Sequence, residues 1–255
     1  METSSQSPII ILWAHPRSMS TAIERIMRER GDCTCFHEAF MYYYYVHLAK
    51  REFPFFDVEQ NRPREFGDII EMMQTASAKG PVFAKEMAYY VIPEITQHPD
   101  LASEFSHLFL VRDPRRSLVS YYRLDQEFQL EEVGLEAQWR LHQWVTDQTG
   151  QAPLVIEAEQ VQKDPVSIMK TVWQSVGIPY KERAFDWDQN NTPEDWHQVS
   201  SWHKQALTTG SIQRDQRSNM EIDQQFDQTA QAAPHLKGYL DHHMPFYRNL
   251  LRYSV

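Results

Sequence analysis

Residues 9–27 read IIILWAHPRSMSTAIERIM. Pro8–Ala14 reads as a strand covered on both faces, since Ile9–Trp13 is apolar without alternation, and such strands belong to parallel sheets. It stops at His15-Pro16. Arg17, Ser18, Ser20 and Thr21 then crowd into one turn, and from Thr21 to Arg30 the apolar residues Ala22, Ile23, Ile26 and Met27 fall at helical spacing. Gly31 supplies the stop. A turn that leaves a buried strand and opens a helix offers unpaired backbone N–H groups and the positive end of a helix dipole, which together favour an anion. Ser18, Ser20 and Thr21 add hydroxyl donors, and Arg17 adds a charged fork.

Working outward, further strands are predicted at Thr34–Phe36, Val82–Lys85, Leu108–Val111 and Leu154–Glu157. Helical patterns cover Asp68–Ala78, Pro114–Arg123, Leu135–Thr149, Pro165–Val176 and Leu236–Arg252. This alternation predicts a single α/β domain over residues 1–255, with a doubly wound, mostly parallel sheet flanked by helices and joined by right-handed crossovers. MYYYYVH (41–47) has no clean period; it reads either as rings packed on the sheet or as a wall facing a substrate. The polar stretch 186–232 is long enough for a lid or a mobile excursion.

The 255 residues, 42% of them hydrophobic, suffice for one sizeable core. Lys and Arg number 25 against 35 Asp and Glu, a formal net charge of −10. That balance argues against nonspecific nucleic-acid or anionic-membrane binding. Cys33 and Cys35 read as reduced thiols, since a zinc site would need further ligands at suitable spacing. His242 and His243 point in different directions on a helix and are read as structural, so no metal is expected. The start METSSQSP lacks a basic stretch and a signal-type apolar region, and no run approaches the roughly 18 apolar residues of a membrane span. A soluble, cytoplasmic protein is the expectation.

The loop of nucleotide hydrolases is G-x-x-x-x-G-K-[ST]. Here there is no glycine from Ile9 to Arg30 and no lysine in the turn, which disfavours an ordinary ATP or GTP site. A second strand, turn and helix, LFLVRDPRRSLVSYYR, spans 108–123. Arg112 ends the strand, Pro114 opens the helix, and Ser120 lies two turns in. Two anion-gripping turns at one sheet edge imply a ligand with two separated anionic groups.

With these segments in place, the chain resembles the sulfotransferases that use 3′-phosphoadenosine 5′-phosphosulfate (PAPS), on a P-loop-type fold. Their first turn reads P-[KR]-S-G-[TS]-[TS] and grips the 5′-phosphosulfate; PRSMST, Pro16–Thr21, is similar. Their second motif, R-[DN]-P-x(5)-S followed by aromatics, grips the 3′-phosphate, and RDPRRSLVSYY matches it from Arg112. VIEAEQVQKDPVSIMKTVWQSVGIP resembles a later family segment. The resemblance implies donor contacts from Arg17, Ser18, Met19, Ser20, Thr21, Arg112 and Ser120. SSWHKQALTTGSIQR (200–214) resembles the family's C-terminal basic motif and would bring Lys204, Gly210 or Arg214 near the 3′-phosphate. There are departures. Met19 stands where the family has Gly, Arg17 where it usually has Lys, and Ala22 where a Trp often stacks on adenine.

Sulfuryl transfer is expected to run as an in-line displacement with charge spread over equatorial oxygens, like phosphoryl transfer. It needs cationic donors on the transferring group and a base for the acceptor's proton. Arg17 and the turn amides are assigned the first task, with Lys85 in VFAKEM as a second cation, aligned with the family's K-x-H. The His of that motif is Met87 here, so the base must come from elsewhere. Glu38 in CFHEAF ranks first, because some family members use a Glu in a similar setting; Glu86 and then His37 follow. The acceptor is read as a small molecule bearing a hydroxyl or amine. The rival readings are a P-loop-type small-molecule kinase and a non-catalytic nucleotide-binding protein.

Overall fold

A computed structural model of the chain describes residues 7–187, 193–202, 211, 212 and 214–255. In chain order the strands are β1 (Ile9–Ala14), β2 (Thr34–His37), β3 (Val82–Met87), β4 (Phe105–Val111) and β5 (Leu154–Glu157). The helices are α1 (Ser20–Glu29), α2 (Phe66–Ser77), α3 (Ile92–Ile95), α4 (Leu101–Glu104), α5 (Pro114–Tyr122), α6 (Leu135–Thr149), α7 (Ala158–Lys163), α8 (Pro165–Ser175), α9 (Asn219–Ala232) and α10 (His235–Leu250). One sheet orders the strands β2-β3-β1-β4-β5, every pair parallel.

β1 lies at the centre. All six of its residues are buried, none more than 3% exposed, which is what its unbroken apolar run requires. Burial of an Ile or Leu is worth roughly 1.5–3 kcal/mol per side chain, so this strand anchors the core. From β1 the chain runs through α1 to the β2 side; from β4 it runs through α5 and α6 to β5 on the other side. Outgoing connections diverge between β1 and β4, and open parallel sheets bind ligands in the crevice at such a point. The two predicted anion turns flank it.

β4 begins three residues earlier than the sequence pattern shows. Ser106 and His107 interrupt the apolar run, yet His107 is buried: Trp13 Nε1 donates to its Nδ1 at 2.8 Å, and its Nε2 pairs with the Leu101 carbonyl at 3.1 Å. Burial brings this imidazole down to about 4, so it sits neutral in the strand. Tyr42–His47 form a π-helical segment whose rings pack in the core, Tyr44 edge-on to Tyr45 and Tyr89. Within the polar stretch 186–232, α9 forms behind a capping box of Ser218 and Glu221, and Trp196 and Trp202 are buried. Among the described residues no helix is long and apolar enough to cross a membrane.

Gly134, between a 3₁₀ turn and α6, has φ +83°, and a Cβ there would meet His15 Cβ at 3.1 Å. Gly150 has φ +72° with nothing within 4 Å. Both positions carry the left-handed penalty of roughly 1–2 kcal/mol for a side chain, but only Gly134 adds a close approach to a buried, hydrogen-bonded neighbour. Gly134→Ala should therefore lower stability by more than Gly150→Ala in urea unfolding; equal losses would show that the close approach has no cost.

Candidate active site

The turn after β1 is built from unusual backbone. Arg17 and Met19 have φ of 64° and 72°, the left-handed region that glycine prefers. The Ser18 amide donates to the His15 carbonyl at 3.2 Å and the Ala22 amide to the Met19 carbonyl at 3.0 Å. Ser18 lies beneath the turn, fully buried, and its Oγ has no hydrogen-bond partner among the described residues.

The second turn is tied to the first. Arg112 Nη1 donates to the Arg17 carbonyl at 2.9 Å, and Arg17 Nε donates to Ser120 Oγ at 2.9 Å. Arg17 Nη1 also donates to the Trp202 carbonyl at 2.6 Å. His15, which the sequence reading left without a role, receives the Arg112 amide on Nε2 at 3.1 Å. Burial, then the adjacent Arg112 cation, bring His15 down to about 3, so it stays neutral and serves as an acceptor. Burial and then Arg112 also bring the Arg17 guanidinium down to about 10, and burial lowers that of Arg112. Arg112 Nε is buried without a hydrogen-bond partner among the described residues. Two partly buried guanidiniums, Arg17 and Arg112, thus meet in one place, with Glu159 Oε1 and Asp215 Oδ2 each 4.0 Å from Arg112, and cations held this way favour an anion.

Around them opens a cavity of about 460 Å³. Its lining includes the polar Ser20, Thr21, Arg112, Arg116, Ser120 and Arg214 and the apolar or aromatic Met41, Phe53, Met87, Tyr89, Tyr90 and Trp202. Asp215 engages Arg116 and Arg217, and Arg214 Nη2 donates to the Lys163 carbonyl at 2.7 Å. Lys204 and Gly210 lie outside the described residues. Tyr42–Tyr45 stand behind the lining, whereas Tyr89 and Tyr90 face the cavity.

Glu38 reaches the cavity from the end of β2 with φ 44°, a third non-glycine residue in the left-handed region there. One carboxylate oxygen pairs with Lys85 Nζ and the other accepts from Tyr90 OH at 2.7 Å. Burial alone would raise this carboxyl, but Lys85, His37 and Tyr90 outweigh it and hold Glu38 below the usual range. Lys85 is fully buried and faces Glu38 rather than the cavity. Glu86 is also fully buried and off the cavity; its oxygens accept the amides of Ala39 at 2.7 Å and Phe40 at 3.2 Å, bracing the turn that carries Glu38. Burial and then Glu38 push the Glu86 carboxyl well above its usual range. His37 Nδ1 pairs with Glu24 Oε2 at 2.7 Å, behind Glu38. Among the described residues no group of three or more His, Cys, Asp and Glu is placed to hold a metal ion.

A central parallel strand that runs through a tight turn into a helix, in a sheet whose connections diverge, places the chain among doubly wound α/β proteins. Within that class it belongs to the sulfotransferase domain family, whose model matches residues 9–238. It is 22% identical over 198 residues to the branched-chain-amino-acid aminotransferase-like protein 2 of Arabidopsis thaliana, covering 77% of this chain and 34% of that protein. The like protein 1 of the same plant is 23% identical over 205 residues, with 78% and 36% covered. The chain thus spans about a third of the length of the curated relatives it matches. Among solved structures it is similar to the sulfotransferase domain from the curacin biosynthetic pathway, at 13% identity and TM-score 0.49, with 89% of this chain and 99% of that one covered. It is also similar to a sulfotransferase from Alicyclobacillus acidocaldarius, at 16% identity and TM-score 0.49, with 82% and 96% covered.

Met19 occupies in left-handed backbone the place where the family pattern has glycine. If that backbone is strained, Met19→Gly should be more stable than Met19→Ala by roughly 1–2 kcal/mol, since both lose the same packing. The two variants melting together would show that the turn relaxes instead.

Proposed function

We propose that this chain moves a sulfuryl group from PAPS to a hydroxyl or amine of a small-molecule acceptor by in-line displacement. The observation that carries this reading is the pair of partly buried guanidiniums, Arg17 and Arg112, stitched across the β1–β4 crevice and lining one cavity. The donor chemistry fits the residues present. Among the described residues Ser18 Oγ and Arg112 Nε have no hydrogen-bond partner, although Glu159 Oε1 lies 4.0 Å from that Nε, and the turn amides offer further donors to a phosphosulfate. Arg112 and Ser120 take the 3′-phosphate. Ala22 leaves space where an adenine-stacking Trp is frequent, and Trp187, which lines the same cavity, is assigned to the base. Its indole Nε1 is buried without a hydrogen-bond partner among the described residues.

The donor supplies a transferable sulfuryl group and a phosphate leaving group. Arg17 and the turn amides stabilise the charge that develops on the equatorial and departing oxygens. Glu38, at the boundary of the cationic turn and the aromatic wall, accepts the acceptor's proton. Glu86 supports Glu38 rather than meeting the acceptor, and Lys85 fixes the carboxylate's direction. Met41, Phe53, Met87, Tyr89, Tyr90 and Trp202 surround the acceptor body.

Labelled PAPS incubated with a panel of alcohols, phenols, amines and sugars tests the reaction: transfer of label to at least one member is expected, and transfer to none, with the donor left unconsumed, contradicts it. In calorimetric titrations adenosine 3′,5′-bisphosphate should bind wild type, and Arg112→Ala should weaken binding by about 2–5 kcal/mol, as when one partner of a buried charge pair is lost. An unchanged dissociation constant, or tighter binding of ATP than of the bisphosphate, removes the donor assignment. Glu38→Gln should bind the bisphosphate as wild type does while losing turnover.

A further inference from the structure

Glu38 raises a difficulty that its surroundings also answer. A carboxylate already engaged by an ammonium and a phenol hydroxyl is a weak base, and a proton delivered to it has little reason to stay. Behind it stands Glu24, on the second turn of α1 and wholly buried. Glu24 accepts from Trp196 Nε1 at 2.7 Å, Arg28 Nε at 2.8 Å and His37 Nδ1 at 2.7 Å. His37 Nε2 lies 3.9 Å from Glu38 Oε1, and Lys85 Nζ lies 3.9 Å from Glu24 Oε2 while pairing with Glu38. Arg28 is matched by Asp195 at 2.6 Å. Two buried carboxylates, Glu24 and Glu38, thus share one ammonium, and the imidazole of His37 sits between them.

Resting on the proposed transfer reaction, we infer that His37 and Glu24 form a proton relay behind Glu38, in which His37 receives at Nε2 the proton that Glu38 takes from the acceptor. In this relay the resting His37 is neutral, carries its ring proton on Nδ1 toward Glu24, and keeps Nε2, 3.9 Å from Glu38 Oε1, unprotonated. As the acceptor oxygen or nitrogen bonds to sulfur, its proton passes to the Glu38 carboxylate. The O–H bond at Glu38 then breaks, an N–H bond forms at His37 Nε2, and Glu38 is again a carboxylate. The imidazolium so formed lies between Glu24 and Glu38, and no buried charge is left unmatched: Glu24 and Glu38 against Lys85 and His37, Arg28 against Asp195. The relay is emptied when the proton returns through Glu38 to solvent after product leaves. Glu24 and His37 touch neither donor nor acceptor; they are positioning residues acting through Glu38. Because Glu24 rides on the same helix whose first turn faces the donor, the relay also fixes the base-bearing end of β2 relative to that turn.

Two measurements test this on the full chain. Long-range ¹⁵N–¹H correlation of the histidine rings at about pH 8, where an ordinary imidazole is neutral, should show His37 protonated on Nδ1 with Nε2 bare, its resonances being those that vanish in His37→Asn. In Glu24→Gln the preference for Nδ1 should be lost. A His37 protonated on Nε2 in the wild type overturns the relay whether or not the enzyme turns over. With the acceptor found in the panel, Glu24→Gln and His37→Asn should each lower kcat about tenfold or more, part of the roughly 10²–10⁴-fold a general base supplies. The dissociation constant for adenosine 3′,5′-bisphosphate should stay within about twofold. If Glu24→Gln does not fold, His37→Asn carries the same comparison. Wild-type kcat in either variant beside an inert Glu38→Gln overturns the relay and leaves the reaction standing; wild-type kcat in Glu38→Gln removes Glu38 as the base.

Discussion

Arg17 and Arg112 impose the constraint on which the rest of the site depends. Two guanidiniums held together in a largely buried place repel each other and are poorly solvated. The fold tolerates them by spending backbone carbonyls, a hydroxyl and nearby carboxylates on them: the Arg17 and Trp202 carbonyls, Ser120 Oγ, and Glu159 and Asp215 each 4.0 Å from Arg112. Those same bonds join the turn after β1 to the turn and helix after β4. The crevice at the centre of the sheet is therefore one preformed cationic object rather than two separate loops.

The strain in the backbone follows the same logic. Arg17, Met19 and Glu38 adopt left-handed φ without glycine and face the cavity. Each has partners nearby: Arg17 through Arg112 and Ser120, Glu38 through Lys85, Tyr90 and the Glu86 brace beneath its turn. Strain of this kind persists where surrounding contacts over-determine the conformation. A methionine in the glycine place closes part of the turn with a side chain packed against the core, giving a more rigid turn than a glycine would.

Much of the architecture was legible because it rests on local pattern. The unbroken apolar run of β1 marks a central parallel strand, and all five predicted strands occur, with β2, β3 and β4 longer than predicted. The structure brings Arg17, Arg112 and Ser120 together as the paired turns suggested. What stayed hidden depends on side chains meeting across elements. The neutral role of His15 is visible only once the Arg112 amide is opposite it. Glu86 and Glu38 are near neighbours in composition and motif, but strand alternation and the β3–β2 pairing turn one to the backbone and the other to the cavity. Lys85 reads as a cation for the donor, whereas its register opposite His37 places it on Glu38. Glu24 carries no motif at all; its helix position looks like any amphipathic polar site until Trp196, from far along the chain, donates to it.

Membership of the sulfotransferase domain family and the cavity at the sheet's divergence point support the proposed donor, whose two anionic groups would lie across the β1–β4 crevice. The most direct measurement is a crystal structure of the protein soaked with adenosine 3′,5′-bisphosphate. The 5′-phosphate should lie over the turn Pro16–Thr21 and the 3′-phosphate against Arg112 and Ser120. A bisphosphate bound anywhere else, or reversed in that crevice, would contradict this assignment.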